Sequence, residues 1–379
     1  MMKITICGDF VPIARGRGAV KDRTALGADV LEVLKGSDYS IVNLEAPVAS
    51  NIETRIPKNG PHLNTDSDAL SYLRECGVNV VTLANNHFLD YGIEGVEHTI
   101  SSCNENGILY VGGGRNLEER SRILYLEKGD EKIAILNYCE SEFSVQSHFG
   151  SNPINPIQVF YDIKKAKKNG DRIIIITHGG HEGYNLPSPR MKRLYRYFID
   201  LGADVVCNHH QHCYSGYEVY NGGFIFYGLG NFYFDDHRVK RNRSFIWNYG
   251  YVVNIDTGPS KLSCSAVPYQ QCMKYPVTTF LVGQDIVNFN KQIKYLNDII
   301  SNDTELCNSF DHWCHLHVRL MLSWFTPYSS RILMALYRKG LLPSFLTNQK
   351  KIQLYNTIRC ESHRDIALSA FKQYENPFG

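Results

Sequence analysis

Apolar residues in this chain come in short runs that stop on polar, chemically capable side chains. Lys3 to Cys7 reads as a buried strand closed by Gly8-Asp9. A stretch with helical spacing at about 24–35 leads into Tyr39-Ser40-Ile41-Val42-Asn43, followed by Leu44-Glu45. Residues 67–76 have helical spacing, and Val78 to Leu83 is a β-branched strand closed by Ala84-Asn85-Asn86-His87. A helix over 92–106 and a short strand over 108–111 follow. This alternation is the signature of a parallel sheet with helices on its faces.

The second half repeats the pattern. Lys132 to Tyr138 is a strand, 157–168 a helix, and Arg172 to Thr177 a strand ending at His178. A helix over 189–201 stops at Gly202, a glycine suited to the position after a helix end. Ala203 to Cys207 is a strand ending at Asn208-His209-His210-Gln211-His212. Asn221-Gly222-Gly223 marks a hairpin, and two further strands, 250–255 and 262–268, flank a Thr-Gly-Pro turn. Beyond about 280 glycine becomes scarce and helical spacing takes over, giving roughly four helices between 284 and 377. The expected organisation is a domain over 1–280 and a helical subdomain over 281–379.

Composition narrows the function classes. Lys+Arg 40 against Asp+Glu 38 leaves a net charge of +2, which excludes a dedicated nucleic-acid binder. Aromatics at 12% exclude a disordered chain. Cysteine occurs 11 times, an odd number without any C-x-x-C, so the thiols read as reduced and packed as small hydrophobes. The N-terminal apolar run is too short for a signal peptide, and no run reaches the ~18 residues of a membrane span. A cytoplasmic protein is expected, with peripheral membrane attachment as the variant.

Polar, metal-capable residues gather at strand ends: Asp9, Asn43, Glu45, Asn85, Asn86, His87, His178, His209, His210 and His212. Open α/β sheets bind ligands outside those ends. In an extended segment residues two apart point the same way, so His210 and His212 reach one site while His209 points elsewhere. Mixed carboxylate, amide and imidazole donors suit hard-to-borderline divalent ions. Arg15 and Arg17, within Ala14-Arg15-Gly16-Arg17-Gly18, form a Gly-flanked basic loop that either holds anionic oxygens or lies on the surface. Asp235-Asp236-His237 reads as a solvated loop.

These residues resemble the CapA family, named for poly-γ-glutamate capsule synthesis, within the calcineurin-like metallophosphoesterase superfamily. The resemblance rests on Gly8-Asp9, Asn43-Leu44-Glu45, Ala84-Asn85-Asn86-His87 with Asp90-Tyr91-Gly92, and His178-Gly179-Gly180-His181-Glu182. It continues through Gly202-Ala203-Asp204-Val205-Val206, His209-His210-Gln211-His212 and Phe226-Tyr227-Gly228-Leu229-Gly230-Asn231-Phe232, in family order over about 3–236. It implies an α/β fold, a four-layer α-β-β-α metallophosphoesterase-like sandwich with a helical C-terminal extension. Asp9, Glu45, Asn86, His178, His210 and His212 would hold one or two divalent ions (Mn, Zn or Fe). His87, with Asp90, would orient or protonate a leaving group. Asn43, Asn85, Glu182, His209 and Asn231, with Arg15 and Arg17, would face the substrate. The resemblance departs at Val11, where the superfamily usually has a histidine ligand, and at Gly179, Gly183, Asn208 and Gln211.

The expected function is therefore metal-dependent hydrolysis of an anionic phosphoester or γ-glutamyl-type substrate, small molecule or polymer, in capsule or envelope biosynthesis. The alternative is a non-catalytic assembly protein that uses the metal site to bind a polyanion. The C-terminal helices pack on the core, on a second subunit or on a membrane surface.

Overall fold

A computed structural model describes residues 1–49, 54–58, 60–146, 148–170, 172–236, 244–258, 262–328 and 330–359. Two sheets form the centre. The first has eight strands, in the order Thr278–Phe280, Leu262–Gln271, Tyr249–Thr257, Lys3–Val11, Tyr39–Leu44, Val80–Thr82, Leu109–Val111; Asn231–Phe234 adds beside Lys3–Val11. The second has six, in the order Tyr217–Tyr220, Gly223–Phe226, Val205–His209, Arg172–His178, Glu131–Cys139, Leu124–Lys128. The central strands pair in parallel and are buried along nearly their whole length, as strands covered on both faces must be.

Helices cover the outer faces. Ala28–Gly36, Ser67–Glu75 and Gly92–Glu105 bury Val30, Leu34, Leu70, Leu73, Val96 and Ile100 against the first sheet. Pro189–Leu201 covers the second, stacking Tyr195 on Tyr227 at 6.1 Å between ring centres. That helix starts on a Ser188 cap with proline at its first turn and ends at Gly202, whose φ of 109° is left-handed. The sheets meet through side chains such as Tyr251 and Phe226, 6.1 Å apart. The four-layer sandwich is present.

Several expectations shift in detail. The helix anticipated at 24–35 forms over Ala28–Gly36 and starts later than expected because Ala25 and Gly27 hydrogen-bond to Thr278 of strand Thr278–Phe280; a separate helix, Arg15–Lys21, precedes it. The loop assigned to Arg15 and Arg17 is thus itself helical. Gly16 is small for packing rather than for motion: a Cβ there would lie 2.8 Å from the Tyr233 ring. The hairpin forms as expected, with Asn221 and Gly222 both at positive φ. The Thr-Gly-Pro turn is described only as far as Gly258. The four C-terminal helices are Gln284–Ser301, Asp303–Ser323, Arg331–Arg338 and Asn348–Arg359.

The chain divides into two compact units, Met1–Asn308 and a second beginning at Ser309. Helix Gln284–Ser301 belongs to the first, whereas the sequence placed it in the C-terminal subdomain. Its Phe289 ring sits 4.6 Å from Tyr214 and its Asn297 accepts from the Tyr217 amide. The ten described cysteines are all free, and seven of them are buried, as small hydrophobes are.

One close approach sets the site's geometry. A Cβ on Gly8 would lie 1.9 Å from the Gly230 carbonyl oxygen, and the Asp9 amide donates to that oxygen. Gly8→Ala should therefore destabilise by roughly 1–3 kcal/mol or more. Gly36→Ala, which meets open space, is the control. Equal denaturant midpoints for the two variants would remove this steric argument.

Candidate metal centre

Parallel pairing places Asp9 opposite both Asn43 and Asn231 in the first sheet. The register shifts on either side of Asp9, an irregularity of the kind that re-aims a side chain. In the second sheet His178 lies opposite His209. Glu45 follows strand Tyr39–Leu44 and is fully buried.

The strand carrying the His cluster stops at His209. The extended geometry expected for His210 to His212 is absent: His210 has φ 89° and His212 φ 55°. Left-handed backbone at residues with side chains costs about 1–3 kcal/mol each and persists where the surroundings over-determine it. Gln211 provides part of that determination, its amide donating to the Tyr184 and Leu186 carbonyls at 2.9 and 3.1 Å. The two imidazoles still converge on one centre.

Two donor groups result, Glu45 with His178 and His210, and Asp9 with Glu45 and His212, each with ligand atoms within 4.8 Å of one another. His178 Nε2 lies 2.9 Å from Asn86 Oδ1, 3.1 Å from His210 Nδ1 and 3.4 Å from Glu45 Oε1. His212 stands 3.4 Å from Asp9 Oδ2 and 3.6 Å from Glu45 Oε1. Both Glu45 oxygens are buried without a hydrogen bond. Two facing imidazole nitrogens beside such a carboxylate form a set that a divalent cation completes, so the residues fit the metal that the sequence implied.

Charge follows the same logic. Burial and the nearby Asp9, Glu182 and Asp90 carboxylates push Glu45 well above the usual range, against the pull of His212. Burial would raise Asp9 too, yet the His212 hydrogen bond and surrounding imidazoles hold it below its ordinary value. Burial and His210 push His178 well below 6.5, leaving it neutral, as a ligand must be. Burial would lower His212, but Glu45 and Asp9 raise it to about 10.

Other residues named from the sequence support this centre rather than line it. Asn43 donates to Asp9 Oδ1 at 2.7 Å and lies 3.2 Å from His178 Nδ1. Asn85 is tied to Leu44 and to the His87 amide. Asn231 lies 2.9 Å from His212 Nδ1 and donates to the His212 carbonyl. His209 spans the two sheets, its Nε2 2.9 Å from the Cys7 carbonyl oxygen, so it is a strut rather than a substrate contact. Arg15 is paired with buried Asp235 through two hydrogen bonds, whereas exposed Arg17 donates through one terminal nitrogen to Asn64. Asp235 and Asp236 are buried, not a solvated loop; His237 lies outside the described residues. Glu182 is exposed yet acts on Glu45 and His212.

His87 and Asp90 form a second constellation. His87 Nδ1 is 2.6 Å from Asp90 Oδ2, which also accepts from the Leu63 amide. Lys58, which the sequence reading missed, pairs with the other Asp90 oxygen and lies 3.2 Å from His87 Nδ1. Its side chain is 3% exposed. No local pattern marked it, because it sits in an irregular stretch among polar residues. Burial pulls His87 below its ordinary value, against the pull of Asp90.

The bacterial capsule synthesis protein PGA_cap family matches residues 3–236, which carry every residue of this centre. The chain belongs to that family. It is similar to the capsule biosynthesis protein CapA of Bacillus anthracis, 32% identical over 295 residues that cover 74% of this chain and 70% of that one. The PGA biosynthesis protein CapA of Bacillus subtilis (strain 168) is 30% identical over 275 residues, 70% and 72% of the two chains. Among solved structures, a hypothetical protein from Thermus thermophilus aligns with a TM-score of 0.47 at 14% identity, over 71% of this chain and 99% of that one. A 5'-nucleotidase from Candida albicans SC5314 aligns with a TM-score of 0.41 at 11% identity, over 70% and 50%.

Replacing His210 and His212 together with alanine should remove most of the bound metal, read by elemental analysis. Wild-type content and affinity in that variant would show the site to be misassigned. The protons on the metal-free centre give a pH signature. His212 is raised from 6.5 to about 10 on folding, so its stabilisation is complete below pH 6.5 and is lost as pH rises through about 10. Chelator-treated protein should lose stability over that window. Metal binding should release protons, measured by calorimetry in buffers of different ionisation heat.

Proposed function

We propose that this protein is a metal-dependent hydrolase acting on an anionic phosphoester or γ-glutamyl-type bond in capsule or envelope polymer synthesis. The observation that carries the reading is Glu45: a fully buried carboxylate with no hydrogen bond, grouped with three histidines and sensing the charge of Asp90, which belongs to a His–Asp–Lys group. The relatives' names, capsule and PGA biosynthesis, supply the biological setting.

Asp9, Glu45, Asn86, His178, His210 and His212 would hold the cation. A bound divalent ion polarises a substrate oxygen and lowers the pKa of water toward ~7. The chain's own residues do the rest. Asp90 and Lys58 engage His87 at Nδ1, so exchange of a proton with the leaving group falls to Nε2. Asn43 and Asn231 fix the rotation of His178 and His212. With Arg15 and Lys58 each paired to a buried aspartate, the positive charge facing an anionic substrate would come chiefly from the cation.

A binding-only role is favoured by one observation. Val11 is buried in an apolar cluster with Ala46, Leu63 and Phe234, so the centre lacks the ligand the superfamily usually places there. Turnover separates the readings. His87→Gln should retain metal and lower kcat by about 10²–10⁴-fold in a metal-supplemented screen of phosphoester and γ-glutamyl substrates. Full activity in the variant would exclude His87 from the chemistry. Metal-loaded wild type inert on both substrate classes would leave the polyanion-binding role.

A further inference from the structure

The second unit buries very little. Among its described residues up to Arg359, Leu346 is the one buried apolar side chain, and helix Arg331–Arg338 buries none. Large apolar side chains face outward instead: Leu316, Trp324, Ile332, Leu341, Phe345 and Ile352 are each more than half exposed. Monomeric proteins rarely leave such surface uncovered.

Charge says what covers it. Residues 309–379 contain nine basic residues and four acidic ones, and up to Arg359 the single acid is Asp311. Arg331, Arg338 and Lys339 bracket helix Arg331–Arg338, and Lys350 and Lys351 lie one turn into the last described helix. A second copy of the same face would bring like charges together. A soluble polyanion would satisfy the cations and leave the apolar side chains in water. A surface that is anionic outside and apolar just beneath satisfies both. No described helix is long and apolar enough to cross a membrane, so the contact is with its surface.

We infer that the unit beginning at Ser309 docks onto an anionic lipid bilayer, with Trp324, Ile332 and their neighbours in the headgroup–acyl boundary and the Arg and Lys side chains on lipid phosphates. This is independent of the hydrolase reading. Basic residues near such a surface contribute about fivefold each to partitioning, and salt screens them.

The test is flotation of the full chain with vesicles of phosphatidylcholine alone and of phosphatidylcholine with phosphatidylglycerol. Flotation should require phosphatidylglycerol and weaken with salt. Arg338→Gln with Lys339→Gln should reduce partitioning by more than about tenfold. Ile332→Asn should also weaken it, with an unchanged circular dichroism spectrum. Tryptophan emission should shift to shorter wavelength on binding, and Trp324→Phe should bind while losing most of that shift. The inference is overturned by absence of flotation at low ionic strength, or by equal, salt-insensitive binding to both vesicles. It is also overturned if Ile332→Asn breaks a dimer of a protein that ignores vesicles, or if poly-γ-glutamate is retained where vesicles are not.

Discussion

Two carboxylates in a dry interior are what the rest of this structure answers to. Asp9 lies near the end of strand Lys3–Val11 and Glu45 just beyond the neighbouring parallel strand Tyr39–Leu44, and both are fully buried. An ionised carboxylate removed from water costs on the order of several kcal/mol even after relaxation. The first sheet offers Asp9 one neutral amide, Asn43, and offers Glu45 no hydrogen bond at all. Compensation comes from the second sheet, whose strand ends deliver His178, His210 and His212. The sandwich is therefore also an electrostatic closure: anionic ligands on one layer, imidazoles on the other.

That closure explains where the backbone departs from regularity. Gly8 lets the Asp9 strand approach Gly230 at a distance no side chain allows, and the register shifts there turn Asp9 toward the histidines. His210 and His212 adopt left-handed backbone, held by Gln211 and by Asn231 on His212. Strain collects around the residues that converge on the centre, while the strands behind them, such as Arg172–His178, run regularly.

The fold was legible because parallel strands buried on both faces leave an unmistakable record: unbroken apolar runs that end on polar residues. The buried cluster of Asp9, Glu45, His178, His210 and His212 was legible for the same reason, since strand ends converge. What the sequence concealed is direction. His209 and His210 are adjacent, yet one braces the Cys7 carbonyl and the other faces Glu45, a distinction fixed by the strand ending between them. Arg15 looked free because its partner, Asp235, is 220 residues away. Lys58 was invisible because its meaning comes from Asp90, which the chain reaches only after a helix and a strand. Helix Gln284–Ser301 read like the helices after it, but Phe289 seats it on the first unit.

Val11 gives the centre its asymmetry. Val11 packs with Ala46, Leu63 and Phe234, and Trp247 leans on both Phe234 and the His212 ring. The apolar cluster borders the polar group directly, since the Leu63 amide donates to Asp90, which pairs with His87 and Lys58. Val11 thus presents packing rather than a donor two residues after Asp9, and the same side chain completes the apolar cluster.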